Sequence, residues 1–261
     1  MNHLYLHGFA SGPSSRKAVA ATEALQKHGI ALDVPDLNLP NFEHITITAM
    51  LAEAELRLRP DSVVWGSSLV GYLATLLANR HPDKVKKVIL FAPAVEFPRA
   101  FPERGDAGKA AWARGGTVPV FHHARQQTLP LAGDLAQDCV RWPIHVRVPC
   151  PALIAAARRD EVIPLPTIEA WAAEQPNAKL HIVDDAHDMN QVIPQLLDLA
   201  LGFLGLRYLQ VHRCVLASQL EPGCARLQVS AWEQSKLHWP FASHVPVMQS
   251  EPELQLSQTL P

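Results

Sequence analysis

The chain of 261 residues is poor in charge, in cysteine and in long apolar runs, and each shortage excludes something. Charged residues make up 18 %, with 23 Lys and Arg set against 25 Asp and Glu, for a formal net charge of −2. Without a basic excess there is no general attraction to nucleic acid or to an anionic membrane, so neither is expected as a partner. The four cysteines, Cys139, Cys150, Cys214 and Cys224, form no C-x-x-C pair. Free thiols in a reducing compartment are expected rather than a disulfide framework. The most apolar stretch, 196–206, is interrupted by Asp198 and falls short of the roughly 20 apolar residues that span a bilayer. Met1-Asn2-His3 leads directly into a strand-like run, with no basic segment and apolar core of a secretory signal. The expectation is a cytoplasmic protein.

Two further patterns are missing. Gly8 to Pro13 contains neither a G-x-G-x-x-G nor a Walker sequence, so no nucleotide cofactor is called for. His122 and His123, taken with Cys139 and Cys150, do not have the spacing of a tetrahedral metal site. They read as solvated loop histidines, and no metal is expected.

What is present is a hydrophobic fraction of 48 %, enough for a sizeable core, and a regular alternation of elements. Short apolar runs at 3–6, 31–34, 62–65, 88–91, 152–156 and 179–183 predict strands. Helical patterns at 15–28, 45–58, 69–80, 167–174 and 194–206 fall between and after them. Strands that are apolar on both faces, separated by helices, predict a doubly wound α/β fold with a mostly parallel sheet of about six strands. The domain spans 1–206. An excursion at about 95–149, rich in proline and without a sustained period, interrupts it and reads as a lid-like insertion. The tail, 207–261, carries five prolines and no heptad or strand alternation, and is expected to be irregular or disordered.

Four local signals bear on chemistry. In Val63-Val64-Trp65-Gly66-Ser67-Ser68-Leu69-Val70-Gly71, a strand turns sharply into a helix with a serine at the apex, the setting of a nucleophile elbow. Gly66 stands two residues before Ser68, where a side chain would strike the neighbouring chain. Val70 stands two residues after the serine, where a second glycine is usual, and Gly71 follows one residue late. A β-branched side chain there costs about 1–3 kcal/mol unless a neighbour makes room. Ser67 as the nucleophile would put Trp65 and Leu69 at the two close positions, which is sterically worse. The plainer reading, a serine N-cap on an ordinary helix, stays open from this segment alone.

The second signal is Leu6-His7-Gly8-Phe9, a strand ending in a tight turn. There the backbone N–H of Phe9 could join that of Leu69 in an oxyanion hole. Asp160, just past the apolar run 152–156 and before Val162-Ile163-Pro164, is the third. His187, beyond the run 179–183, is the fourth, with Asp184, Asp185 and Asp188 as rival acids close to it in sequence. Sequence neighbours rarely reach the far nitrogen of the same imidazole, which favours Asp160. Each signal alone is weak; the order Ser68, Asp160, His187, each at the C-terminal end of its own strand, is that of an α/β-hydrolase triad.

On these residues the chain resembles an α/β-hydrolase, and in particular the small bacterial esterases of the YqiA type. Tyr5-Leu6-His7-Gly8-Phe9, Ser15-Arg16-Lys17-Ala18, Gly66-Ser67-Ser68-Leu69 with Gly71-Tyr72, Pro93-Ala94-Val95, Asp160-Glu161-Val162, His187 and Phe203-Leu204-Gly205-Leu206 carry the likeness. It covers about 1–206. The resemblance implies a serine hydrolase acting on a small carboxylic ester or thioester, with Ser68 as nucleophile, His187 as base and Asp160 as its partner. His7, Gly8 and Gly66 would shape the supporting turns. Trp112, Phe121 and Trp142 in the insertion are candidates for lining an acyl pocket or, equally, for packing down the lid. The contrasting expectation is a catalytically inactive scaffold of the same fold that serves as a binding protein.

Overall fold

The computed structural model describes residues 1–99 and 114–206. Strands β1 (Asn2–Leu6), β2 (Leu32–Asp33), β3 (Ser62–Ser67), β4 (Val85–Phe91), β7 (Ala152–Ala157) and β8 (Ala178–Val183) form one sheet in the order β2-β1-β3-β4-β7-β8. All its pairings are parallel. Every residue of β3 and of β7 is buried, as a central strand covered on both faces requires.

Because side chains alternate along a strand, each strand feeds two cores. Leu4, Leu6, Val64, Val88, Leu90 and Ile154 enter one, which is closed by α2 (Ile47–Arg57), α3 (Leu69–Arg80) and α5 (Leu165–Ala173). Tyr5, Val63, Trp65, Ile89, Phe91 and Leu153 enter the other, closed by α1 (Arg16–Gln26) and α6 (Ile193–Leu204). Helix ends follow local chemistry. Ser15 Oγ accepts from Ala18 N–H at the start of α1 and Thr46 Oγ1 from Ala49 N–H at the start of α2. Gly205, at φ 75°, ends α6 in the left-handed conformation that glycine adopts without penalty.

The strand order reverses beside β1: the chain leaves it outward to β2 and returns on its other side as β3. In open parallel sheets, the crevice beyond the carboxyl ends at such a switch point is where ligands bind. The ends of β1 and β3 meet there, with Leu6 opposite Gly66.

The excursion between β4 and β7 is more regular than its missing period predicts. Where no period was expected, the chain forms an antiparallel hairpin, β5 (Thr117–His122) and β6 (Gln127–Ala132), followed by the short helix α4 (Asp134–Cys139). Pro119 and Pro130 sit opposite each other in its register, a placement that a two-stranded ribbon tolerates because each strand has a free edge. His122 is buried, with its ring edge-to-face against Phe42 at 4.8 Å between centroids, so the expected solvated histidine is a packing residue of the hairpin. Cys139 and Cys150 are buried free thiols whose pKa burial pushes up, that of Cys150 to about 11. Trp112 and the tail 207–261 lie outside the described residues. Among those described, no helix is long and apolar enough to cross a membrane.

Candidate active site

Ser68 stands between the last residue of β3 and the first of α3, with φ 57° and ψ −126°. A non-glycine residue there is strained, and its neighbours hold it: its N–H donates to Phe91 O at 2.9 Å, and its own carbonyl accepts from Ala94 N–H at 3.0 Å. Its hydroxyl makes no capping bond to the helix, so the plain N-cap reading falls. Ser67 remains within β3 and is buried.

Two glycines permit the turn. A Cβ on Gly66 would lie 2.4 Å from Val70 O and 2.9 Å from Gly71 Cα. One on Gly71 would lie 3.0 Å from Pro93 Cα. The second close approach therefore falls at Gly71, one position later than the usual pattern. Val70 is buried among the apolar residues on the α3 side of the sheet.

His187 lies on the loop after β8, and Asp160 on the loop after β7. His187 Nε2 is 2.9 Å from Ser68 Oγ, and its Nδ1 is 2.9 Å from both carboxylate oxygens of Asp160. Asp160 Oδ1 also accepts from the N–H groups of Val162 (2.9 Å) and Ile163 (2.7 Å). Burial on its own would raise the pKa of this carboxyl; the His187 contact and the Ile163 and Val162 N–H groups outweigh it, and the net shift is downward. Three residues separated by as many as 119 positions thus form one hydrogen-bonded line. Asp184 and Asp188 instead face Arg159 and Asn190, and Asp185 accepts from Ala186 and Gln191 N–H.

The turn after β1 is equally determined. His7 is buried, and its Nε2 accepts from Leu37 N–H at 2.9 Å, which leaves the ring proton on Nδ1, 3.2 Å from Gly8 O. Burial lowers the His7 pKa, against smaller opposing effects from Gly8 O and Asp36, and so favours this neutral form. The Gly8 carbonyl and the Phe9 N–H belong to one planar peptide and point in opposite directions. Fixing the first aims the second. Phe9 and Leu69 line the same cavity as Ser68 and His187.

That cavity measures about 1120 Å³. Its apolar wall comes from Phe9, Phe97, Val118, Val120, Leu131 and Ile163, and the turn of the hairpin is tied to the loop after β1 by His123 N–H donating to Ala10 O at 2.7 Å. Of the aromatic residues expected at an acyl pocket, Phe121 is exposed, and Trp142 packs near Arg80 with its indole N–H on Asp138. Neither lines the cavity. The valines of the hairpin do, and their alternation in Thr117-Val118-Pro119-Val120-Phe121 was the available signal. Among the described residues, no group of three His, Cys, Asp or Glu side chains is arranged to hold a metal ion.

A family model described as "Uncharacterised protein family (UPF0227)" matches residues 2–202. No curated protein matches the sequence. Many solved structures share the fold. Est1E from Butyrivibrio proteoclasticus, solved with ferulic acid bound, is 20 % identical over 78 % of this chain and 90 % of its own, with a TM-score of 0.65. Mouse alpha/beta hydrolase domain-containing protein 10 is 18 % identical over 78 % of this chain and 89 % of its own, at 0.65. A thermophilic esterase from Thermogutta terrifontis is 20 % identical over 78 % and 89 %, at 0.57. At these identities the likeness is one of fold, and the fold is that of the α/β-hydrolases.

Proposed function

The chain belongs to the UPF0227 family, and on that premise we propose that it is a serine hydrolase that cleaves carboxylic esters, thioesters included, through an acyl-enzyme on Ser68. The observation that carries this reading is the unbroken line from Ser68 Oγ through the two ring nitrogens of His187 to Asp160, each link 2.9 Å long. Ser68 Oγ attacks the carbonyl carbon while His187 Nε2 takes its proton. Asp160, bonded to Nδ1–H, holds the tautomer that leaves Nε2 free to accept, and then stabilises the imidazolium. The N–H groups of Phe9 and Leu69 donate to the oxyanion of the tetrahedral intermediate; neither has an acceptor among the described residues. The imidazolium returns its proton to the leaving oxygen or sulfur as the bond to carbon breaks. A water, deprotonated by the same Nε2, then releases the acid and restores the Ser68 hydroxyl. The apolar wall suits an acyl group in the cavity.

Ser68→Ala is expected to lower hydrolysis of 4-nitrophenyl acetate by roughly 10⁶-fold, the loss typical of a triad nucleophile. A fluorophosphonate probe is expected to label wild type at Ser68 and to leave the variant clean. Hydrolysis at the wild-type rate by the variant excludes the assignment. Wild-type protein that neither turns over nor labels is an inactive scaffold.

A further inference from the structure

The triad reading leaves a mechanical question: what holds His187 in line, when it lies on an irregular loop between β8 and α6? Several bonds brace that loop from nearby. Asp185, buried, accepts from Ala186 N–H at 2.8 Å and Gln191 N–H at 2.9 Å. Glu161 Oε2 accepts from His187 N–H at 3.1 Å. Met189, fully buried, takes φ 48°.

One bond arrives from far away in sequence. Lys17 Nζ, in the first turn of α1, donates to Asp188 O at 2.6 Å. That carbonyl shares a peptide plane with Met189 N–H, which donates to Ala186 O at 3.1 Å. The peptide bond on the far side of Asp188 from His187 is therefore pinned at both its oxygen and its nitrogen. The Asp188 carboxylate is occupied with Asn190, bonding its N–H at 3.2 Å and its side-chain amide at 2.6 Å.

We propose that Lys17 is a positioning residue for the triad, fixing the register of the His187 loop through the Asp188 carbonyl. The proposal rests on the hydrolase reading above and extends it to a residue that lines the same cavity but whose bond goes to the Asp188 carbonyl, not to any of the three triad side chains. Its placement runs against local chemistry, which argues for a role. Arg16 and Lys17 occupy the first turn of α1 with no acidic residue there, at the end of the helix dipole that favours anions. Burial lowers the Lys17 pKa, and the nearby carboxylates of Asp188 and Asp185 only partly oppose this. A position that disfavours a cation twice over holds one whose ammonium bonds the catalytic loop. Departures from local preference of this kind concentrate at functional sites.

The test uses the full chain as wild type, Lys17→Met and Lys17→Arg. Hydrolysis of 4-nitrophenyl acetate is resolved into kcat and KM, and the downfield proton resonance of the His187 Nδ1–H is followed by NMR. Lys17→Met is expected to lower kcat by about 100-fold, the effect of displacing a catalytic group by about an ångström, with little change in KM. Its downfield resonance should broaden away. Lys17→Arg, which keeps a charged donor in place, should recover most of both. Wild-type kcat and an intact resonance in Lys17→Met overturn the proposal, whatever the melting temperature. So does an effect confined to KM, which would make Lys17 a substrate contact. If Lys17→Met does not fold, Lys17→Gln is read in the same way. Should wild type show no turnover, the hydrolase reading fails, and the resonance still decides the positioning: its survival in Lys17→Met refutes it, and its loss supports it.

Discussion

Asp160 illustrates how much one carboxylate can be asked to do. Its side chain is fully shielded from solvent, a setting that favours the neutral acid, yet three hydrogen bonds keep it ionised. Two come from backbone N–H groups of the same loop, so the carboxylate is oriented before the imidazole meets it. Asp185 is also buried, but its two donors are both backbone groups of the histidine loop, which makes it a brace. The difference lies in which strand each follows. Asp160→Asn keeps the shape of the side chain and presents an amide where an acceptor is required, stabilising the wrong imidazole tautomer. The proposed mechanism then predicts a fall in kcat of about 10⁴-fold at neutral pH with the fold intact by circular dichroism. Near wild-type kcat in that variant would show that the His187–Asp160 contact is structural only. The depressed pKa of Asp160 also has a sign for stability. The contribution is complete above the ordinary carboxylate range and is lost as pH falls through the lower folded value.

At the scale of the element, the turn from β3 into α3 is held by close backbone contacts and carries a serine at positive φ. Gly66 faces backbone rather than a movable side chain, since Val70 O and Gly71 Cα are the atoms an added methyl would strike. Gly66→Ala must separate the first turn of α3 from β3, and a destabilisation of about 1–3 kcal/mol is expected in urea unfolding, with probe labelling at Ser68 slowed. Unchanged stability would mean that the elbow can open at no cost. This element was legible in sequence because its requirements are local: an apolar strand, a small residue and a serine within a few positions of one another. The same holds for β3 and β7, apolar runs buried along their whole length. The hairpin was not legible, because Pro119 and Pro130 punctuate the Thr117–His122 and Gln127–Ala132 alternation and read as breakers. Lys17 was not legible for a different reason. Its partner lies 171 residues away, and nothing in Ser15-Arg16-Lys17-Ala18 specifies a carbonyl at that distance along the chain. The late glycine at Gly71 lies between these cases: its presence was visible, but its contact with Pro93 depends on how β4 ends.

At the scale of the whole molecule, buried neutral histidines tie stability to pH. His3 in β1, His7 in the turn after β1 and His122 in the hairpin are each buried, and burial lowers the pKa of all three, that of His3 to about 4. For His3 the positive N-terminus adds to the effect. Structure reinforces the neutral form, because His3 Nδ1 accepts from Trp65 Nε1–H at 3.2 Å and a proton there would remove that bond. The unfolded chain takes up protons near the ordinary histidine value of about 6.5 while the folded chain does not. Stability must therefore be complete above that value and decline as pH falls from it toward about 4, the opposite of what a histidine paired with an acid would give. At about 1.4 kcal/mol per pKa unit, His3 contributes on the order of 2–3 kcal/mol to the difference between pH 7.5 and 4.5. The urea midpoint is expected to be lower at the acidic pH. His3→Gln retains a carbonyl acceptor for the indole N–H and removes the titration, so it should flatten that dependence by most of the same amount. If His3→Gln keeps the wild-type pH slope, His3 is not the group that links the sheet to acid, and the proton uptake must be assigned to His7 and His122 on the site side of the molecule.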